Sequence, residues 1–174
     1  MYTGTNPTAL RSQTLLVDAM FTLLQHDTFA DITVRQLTQE AQLSRQTFYQ
    51  IFTSKEDVIK CRIQGLFVEF QQTLNRQPIT LHALITLFFA FYQKYATIFN
   101  LLLDNHLEPL LTTYAQDCMA SLQLTTEKNN HYSHSFIAAG LTQVLVDWHS
   151  HQDTDIEEVA QLVEQLLNPN AIAK

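Results

Sequence analysis

Closely spaced helix-start signals in the first sixty residues limit most tightly what this chain can fold into. Leu16, Ala19, Met20, Leu23 and Leu24 recur at three-and-four spacing, which places them on one face of a helix. The run stops in a polar turn, His26–Asp31, with Phe29 inside it. Thr33-Val-Arg-Gln36 then reads as a capping box, in which the Thr hydroxyl accepts from helix-start N–H groups and Gln36 reaches back. That helix is short, because the pattern Val34, Leu37, Ala41 ends at Gln42-Leu43. Ser44 is the next N-cap and opens Arg45–Phe52, with Phe48 and Phe52 on the inner face. Three short helices, the second and third joined by a tight turn, predict a helix-turn-helix. That architecture places its third helix in the major groove of DNA.

The rest of the chain is punctuated in the same way. Ser54-Lys-Glu-Asp57 is a third cap, with acids in the first turn where the helix dipole favours them. Ile59, Ile63, Leu66, Phe67, Phe70 and Leu74 then predict a long amphipathic helix that Gln77-Pro78 breaks. Further helices are expected over Leu81–Tyr95, around Phe99–Leu103 and over about 107–124, followed by a polar loop at Thr125–His131. Tyr132–Trp148 and Asp155–Leu167 are the last two, the latter capped by Thr154-Asp-Ile-Glu157 and ended by Asn168-Pro169. With three Gly, four Pro and 46% hydrophobic residues, the composition agrees with an all-α chain of about nine helices and no strands.

Charge alone does not identify a partner. The formal net charge is −7, but residues 1–62 hold six basic and six acidic side chains, so all the excess acidity lies beyond them. A neutral segment still binds phosphate when its cations share a face, whereas the acidic remainder is expected to stay off DNA. Cys61 and Cys118 lack CxxC spacing and suit a reducing compartment as small buried apolar residues. No signal-peptide pattern opens the chain, and the longest apolar stretch, Ala83–Tyr92, is too short to span a bilayer. The expectation is a cytoplasmic protein without a membrane partner.

The stretches Ile32-Thr-Val-Arg-Gln-Leu37 and Ala41-Gln-Leu-Ser-Arg-Gln-Thr-Phe-Tyr-Gln-Ile-Phe-Thr-Ser-Lys-Glu56 resemble the signature of the TetR family of transcriptional regulators. Leu16, Ala19, Leu24 and Phe29 match that family's positions before the second helix; Leu43-Ser44, Thr47-Phe48-Tyr49, Phe52 and Ser54-Lys-Glu56 match its recognition helix and exit. The likeness spans residues 15–58, and beyond them only helix number and order agree. It implies a helix-turn-helix DNA-binding domain in residues 1–53 and a helical ligand-binding and dimerisation domain in residues 54–174. Thr28, Gln42 and Gln46 depart from it, standing where glycine or another small residue is usual. A positive φ at Gln42 would cost on the order of 1 kcal/mol.

The side-chain chemistry supports a DNA interface independently of kinship. Thr33, Tyr49 and Lys55 stand at or near helix ends, where a hydroxyl, a phenol and an ammonium can each grip a phosphate. The resemblance implies backbone contacts at these three positions. Arg45, Gln46 and Thr47 begin the third helix, where Arg can read guanine and Gln adenine. Arg35, Gln36, Ser44 and Gln50 complete the candidate set. Thr33 and Ser44 serve equally as caps, and Lys55 right after a cap opposes the helix dipole, which calls for another reason to be there.

In the second domain the resemblance implies a cavity among the helices. Candidate linings are Phe67, Phe70, Phe88, Tyr92 and Phe99, with Leu102, His106, Tyr114, Cys118 and Phe136. Such a set suits an apolar or amphipathic effector, and equally forms a plain helical core. Two stripes, Ile137, Leu141, Val144, Trp148 and Ile156, Val159, Val163, Leu166, are the candidate homodimer interface, with Ala138, Ala139 and Gly140 permitting close approach. Trp148-His-Ser-His-Gln-Asp153, with His131 and His134, offers metal-type ligands at no standard zinc spacing. No enzyme activity, metal or cofactor is expected. The expected partners are an operator in double-stranded DNA, a second copy of the chain and a small-molecule effector. The expected regulator is a repressor released from DNA by that effector; the alternative is a regulator or activator whose second domain binds a protein or no small molecule.

Overall fold

The computed structural model describes residues 2–75, 80–121, 130–151 and 154–167. Five sequence expectations lie at least partly outside them: the break at Gln77-Pro78, the end of the helix over about 107–124, most of the Thr125–His131 loop, Gln152-Asp153 of the histidine-rich segment, and the stop at Asn168-Pro169. The described residues form nine α-helices and no strands, in agreement with the all-α expectation. They are α1 (Pro7–Leu23), α2 (Val34–Glu40), α3 (Arg45–Ile51), α4 (Lys55–Leu74), α5 (Leu81–Lys94), α6 (Ala96–Asp104), α7 (Glu108–Ser121), α8 (Asn130–His151) and α9 (Ile156–Leu167). The chain forms two compact units, Met1–Gly65 and Leu66–Lys174, so the division falls inside α4.

In the first unit, α1 begins well before its apolar stripe. Asn6 caps it, its carboxamide oxygen accepting from the N–H of Thr8 at 2.9 Å, and Pro7 sits at the first position, where a missing N–H is harmless. Leu16, Met20, Ile32, Leu37, Phe48 and Phe52 are almost fully buried, joined by Ile59 and Ile63 from α4. This core fixes α1, α2 and α3 against one another. The Thr33 box is present as expected: Thr33 Oγ1 accepts from the N–H of Gln36 at 3.2 Å, and Gln36 Oε1 accepts from the N–H of Thr33 at 2.9 Å.

In the second unit, α7 packs along α8 and α5 against α9. One core cluster joins Phe70, Leu74, Leu84, Ala115, Cys118, Met119 and Ala138, with Phe67, Phe88 and Phe91 packed on it. Thr80 caps α5, its hydroxyl oxygen accepting from the N–H of Ala83 at 3.1 Å. Helix α8 runs past Trp148 to include both His149 and His151. At α9, Thr154 does not act as the expected cap: its hydroxyl donates to Glu158 Oε2 at 2.6 Å, while the Asp155 carbonyl accepts from the first-turn N–H groups. Among the described residues, no helix is long and apolar enough to cross a membrane.

Candidate nucleic-acid interface

Helix α3 offers a polar face on a buried base. Phe48 is 0% exposed and Ile51 is buried, while Arg45, Gln46, Tyr49 and Gln50 all stand in solvent. Their spacing pairs Arg45 with Tyr49 and Gln46 with Gln50, four residues apart on adjacent rows of one helix surface. Tyr49 is 54% exposed and meets Phe48 edge-on at 5.2 Å between ring centres, so core packing orients a phenol that faces outward. Ser44 Oγ accepts from the N–H of Thr47 at 3.0 Å and lies 2.9 Å from the Thr47 hydroxyl. Ser44 and Thr47 therefore rigidify the start of α3 and share hydroxyl capacity with each other. At the far end, the Ile51 carbonyl accepts from the N–H of Tyr2 at 2.7 Å, a tie with no advance signal in the sequence.

Helix α2 brings Arg35, Gln36 and Thr33 to the surface, all exposed. The Thr33 hydroxyl donates to Gln36 Oε1 at 2.7 Å, so both side chains are engaged in the cap, and the Gln36 amide hydrogens remain outside the box. Lys55 is half-buried and points back into its own unit. Its Nζ donates to the carbonyls of Phe29 at 2.6 Å, Ala30 at 3.0 Å and Ile32 at 2.9 Å. It also lies 4.6 Å from the centre of the Phe29 ring. Phe29 thus acts as a floor for the lysine.

The turn between α2 and α3 contains the positive φ anticipated from sequence. Gln42 has φ 55°, and the N–H of Leu43 donates to the Thr38 carbonyl at 2.9 Å. This is the left-handed closure usually made by glycine. His106 repeats it after α6, with φ 55° and the N–H of Leu107 donating to the Leu102 carbonyl at 2.9 Å. His106 is therefore an exposed turn residue and does not line an interior space.

The aromatics expected around a cavity stack largely on one another. Ring centres lie 6.4 Å apart for Phe67–Phe70 and for Phe67–Tyr114, 5.7 Å for Tyr92–Phe99 and 5.3 Å for Phe88–Phe89. Tyr92 donates to Asn100 Oδ1 at 2.8 Å, and burial raises its phenol above the ordinary range. Leu102 and Cys118 are buried, whereas Phe136 is 66% exposed and faces away from this core. A cleft of about 410 Å³ lies instead between α5 and α9, floored by Ile85, Phe89 and Ile156. His82–Glu164 at 2.6 Å and Gln93–Glu157 at 2.5 Å stand on its rim. None of the expected lining residues borders that cleft.

The two α8–α9 stripes divide between core and surface. Leu141, Ile156 and Val163 are buried, Ile137, Val144, Trp148 and Val159 are half-buried, and Leu166 is 69% exposed. An apolar groove of about 330 Å³ runs between the two helices, lined by Phe136, Ile137, Gly140, Leu141, Val144, Val163, Leu166 and Leu167. A Cβ on Gly140 would meet nothing within 4 Å, so that position is open. The histidines are engaged separately: His149 Nε2 pairs with Asp104 at 2.7 Å, and His151 Nδ1 lies 2.7 Å from the Asp147 carbonyl. Among the described residues, no three His, Cys, Asp or Glu side chains converge as a metal site would require.

No protein-family model and no curated protein sequence matches the chain. Solved structures do. The protein Lin0861 from Listeria innocua superposes with a TM-score of 0.78 at 16% identity, over 95% of this chain and 94% of that one. The dihydroxyacetone kinase operon activator DhaS gives 0.60 at 16%, over 90% and 94%. The TetR family repressor AlkX from Dietzia sp., implicated in biodegradation of n-alkanes, gives 0.58 at 18%, over 91% and 94%. The nine helices of the described residues, in this order and with a capped helix-turn-helix at the start, give the chain the fold of the TetR-family transcription regulators.

Proposed function

We propose that the protein is a homodimeric, sequence-specific DNA-binding regulator whose second unit takes an apolar or amphipathic effector that releases it from an operator. The observation that carries the DNA reading is the exposed face of Arg45, Gln46, Tyr49 and Gln50 on a helix whose base is locked into the core. Arg45 and Gln46 read base edges, and Tyr49 and the amide of Gln36 take phosphate oxygens. Arg35 and Gln50 flank them, and Thr33, Ser44 and Thr47 chiefly hold the two helix starts. The apolar α8–α9 groove supports the dimer, since a soluble chain gains by covering Phe136 and Leu166.

Release follows when effector favours a dimer geometry with the α3 helices out of register. About 1–3 kcal/mol of coupling changes affinity several-fold to about a hundredfold. The aromatic composition of the second unit agrees with an apolar effector, and a repressor of this fold, AlkX, is implicated in biodegradation of n-alkanes. A second reading, an activator whose second unit binds a protein, is favoured by the mutual stacking of the expected cavity aromatics and by the DhaS likeness. Thermal shift against linear hydrocarbons and acyl chains, then transcription in vitro from a selected operator with and without any stabilising compound, separates the two. Stabilisation together with relief of repression supports the first reading. No stabilisation, with activation of transcription, supports the second.

A further inference from the structure

The resemblance implies a phosphate contact at Lys55, but the geometry points elsewhere. An ammonium carries three hydrogens and no acceptor. Three carbonyl oxygens, those of Phe29, Ala30 and Ile32, lie 2.6–3.0 Å from Nζ and take all three. The Phe29 ring lies against the same cation at 4.6 Å. A lysine held in this way has no proton left for a DNA oxygen.

The three carbonyls belong to the irregular segment between α1 and α2. Within that segment, the N–H groups of Asp31 and Ile32 donate to the Thr28 carbonyl at 3.0 and 3.2 Å, and the Thr28 hydroxyl donates to Asp31 Oδ2 at 2.7 Å. Ile32 immediately precedes the Thr33 cap, so fixing its carbonyl fixes where α2 begins. The platform at the other end of the lysine is firm. The N–H of Asp57 donates to Ser54 Oγ at 3.3 Å, and the Asp57 carboxylate accepts from both the N–H and the hydroxyl of Thr53.

We propose that Lys55 is a positioning residue, an internal clamp that ties the α1–α2 segment and the start of α2 to the first turn of α4. In this role it holds the helix-turn-helix in one shape and makes no phosphate contact. The proposal rests on the DNA-binding reading above for its effect on affinity, but not for the clamp itself.

The test compares the full-length wild type with Lys55→Met by hydrogen exchange without DNA and by DNA affinity across a salt series. The clamp predicts that the Asp31 and Ile32 amides exchange about tenfold faster or more in the variant, because several hydrogen bonds are lost at once. It also predicts weaker DNA binding with an unchanged slope of log affinity against log salt. A phosphate contact predicts a slope shallower by about 0.9 for each lysine removed, with the two amides unaffected; that pair of results overturns the proposal. Should Lys55→Met fail to fold, the Lys55 ammonium resonance of the wild type decides. Slowly exchanging hydrogens that do not shift on adding DNA support the clamp, and a shift on adding DNA overturns it. Should the wild type select no DNA, the DNA-binding reading falls, while the exchange comparison still decides the clamp.

Discussion

Gln42 carries a conformational strain that glycine would not. Its φ of 55° closes α2 in the left-handed region, where a side chain beyond Cα is disfavoured. Gln42→Gly is expected to raise stability by about 1 kcal/mol, measured by urea unfolding. A loss of stability would show that the Gln42 side chain makes a compensating contact. Cys118 gives a second residue-scale expectation. Burial pushes its thiol up to about 11, and Cys61 is raised by the same cause, so neither is a ready thiolate at pH 8. Cys118, which is buried, should react with a disulfide reagent only as the chain opens, at a rate that tracks denaturant, whereas half-buried Cys61 should label first; rapid labelling of Cys118 in the native protein would contradict its burial. Asp57 behaves oppositely: the hydrogen bond from the Thr53 hydroxyl, above all, holds its carboxyl below the ordinary value of 3.8. Because its folded pKa is the lower one, its contribution is present above about pH 4 and is lost as pH falls through the folded value. Asp57→Asn should therefore be less stable than wild type at pH 7, with the difference shrinking at pH 3.

At the scale of elements, the polar caps were the most legible feature. Thr33 and Gln36, Ser44, and Ser54 with Asp57 form the hydrogen bonds their spacing implies, because a cap is a local event between residues three apart. Ser44→Ala should cost about 1 kcal/mol of stability and weaken DNA binding through fraying of α3; unchanged melting would remove Ser44 from that role. What sequence could not supply were ties between distant segments. The destination of Lys55 depends on how the α1–α2 segment folds over Phe29, and nothing in Ser54-Lys-Glu-Asp57 announces it. The same limit explains the cavity. Phe67, Phe70, Tyr92 and Phe99 read equally as pocket or core, and only the packing of the helices brings their rings against one another. The apolar character of Phe136 suits the same set, but its position on α8 turns it outward. Helix ends slipped where the signal was tertiary. Helix α6 begins at Ala96, directly after Tyr95, with no side-chain cap to mark it.

At the scale of the whole molecule, reading a two-fold operator requires two copies of the chain. The groove between α8 and α9, with Phe136 and Leu166 exposed beside half-buried Val144, is the surface proposed to meet its two-fold mate. Phe136→Glu with Leu166→Glu should convert a dimer to a monomer in sedimentation and lower operator affinity by more than tenfold, while leaving the helical content intact. A double variant that remains dimeric would move the interface elsewhere. Whether the outward face of α3 reads DNA is decided by selecting bound sequences from a random duplex pool with the wild type and with Arg45→Ala. The wild type is expected to select a two-fold symmetric site with half-sites about 10 base pairs apart, and the variant to lose preference at one symmetric pair of positions, worth about 1–3 kcal/mol per base contact. Enrichment of no sequence by the wild type, or an identical selected site from Arg45→Ala, would contradict it.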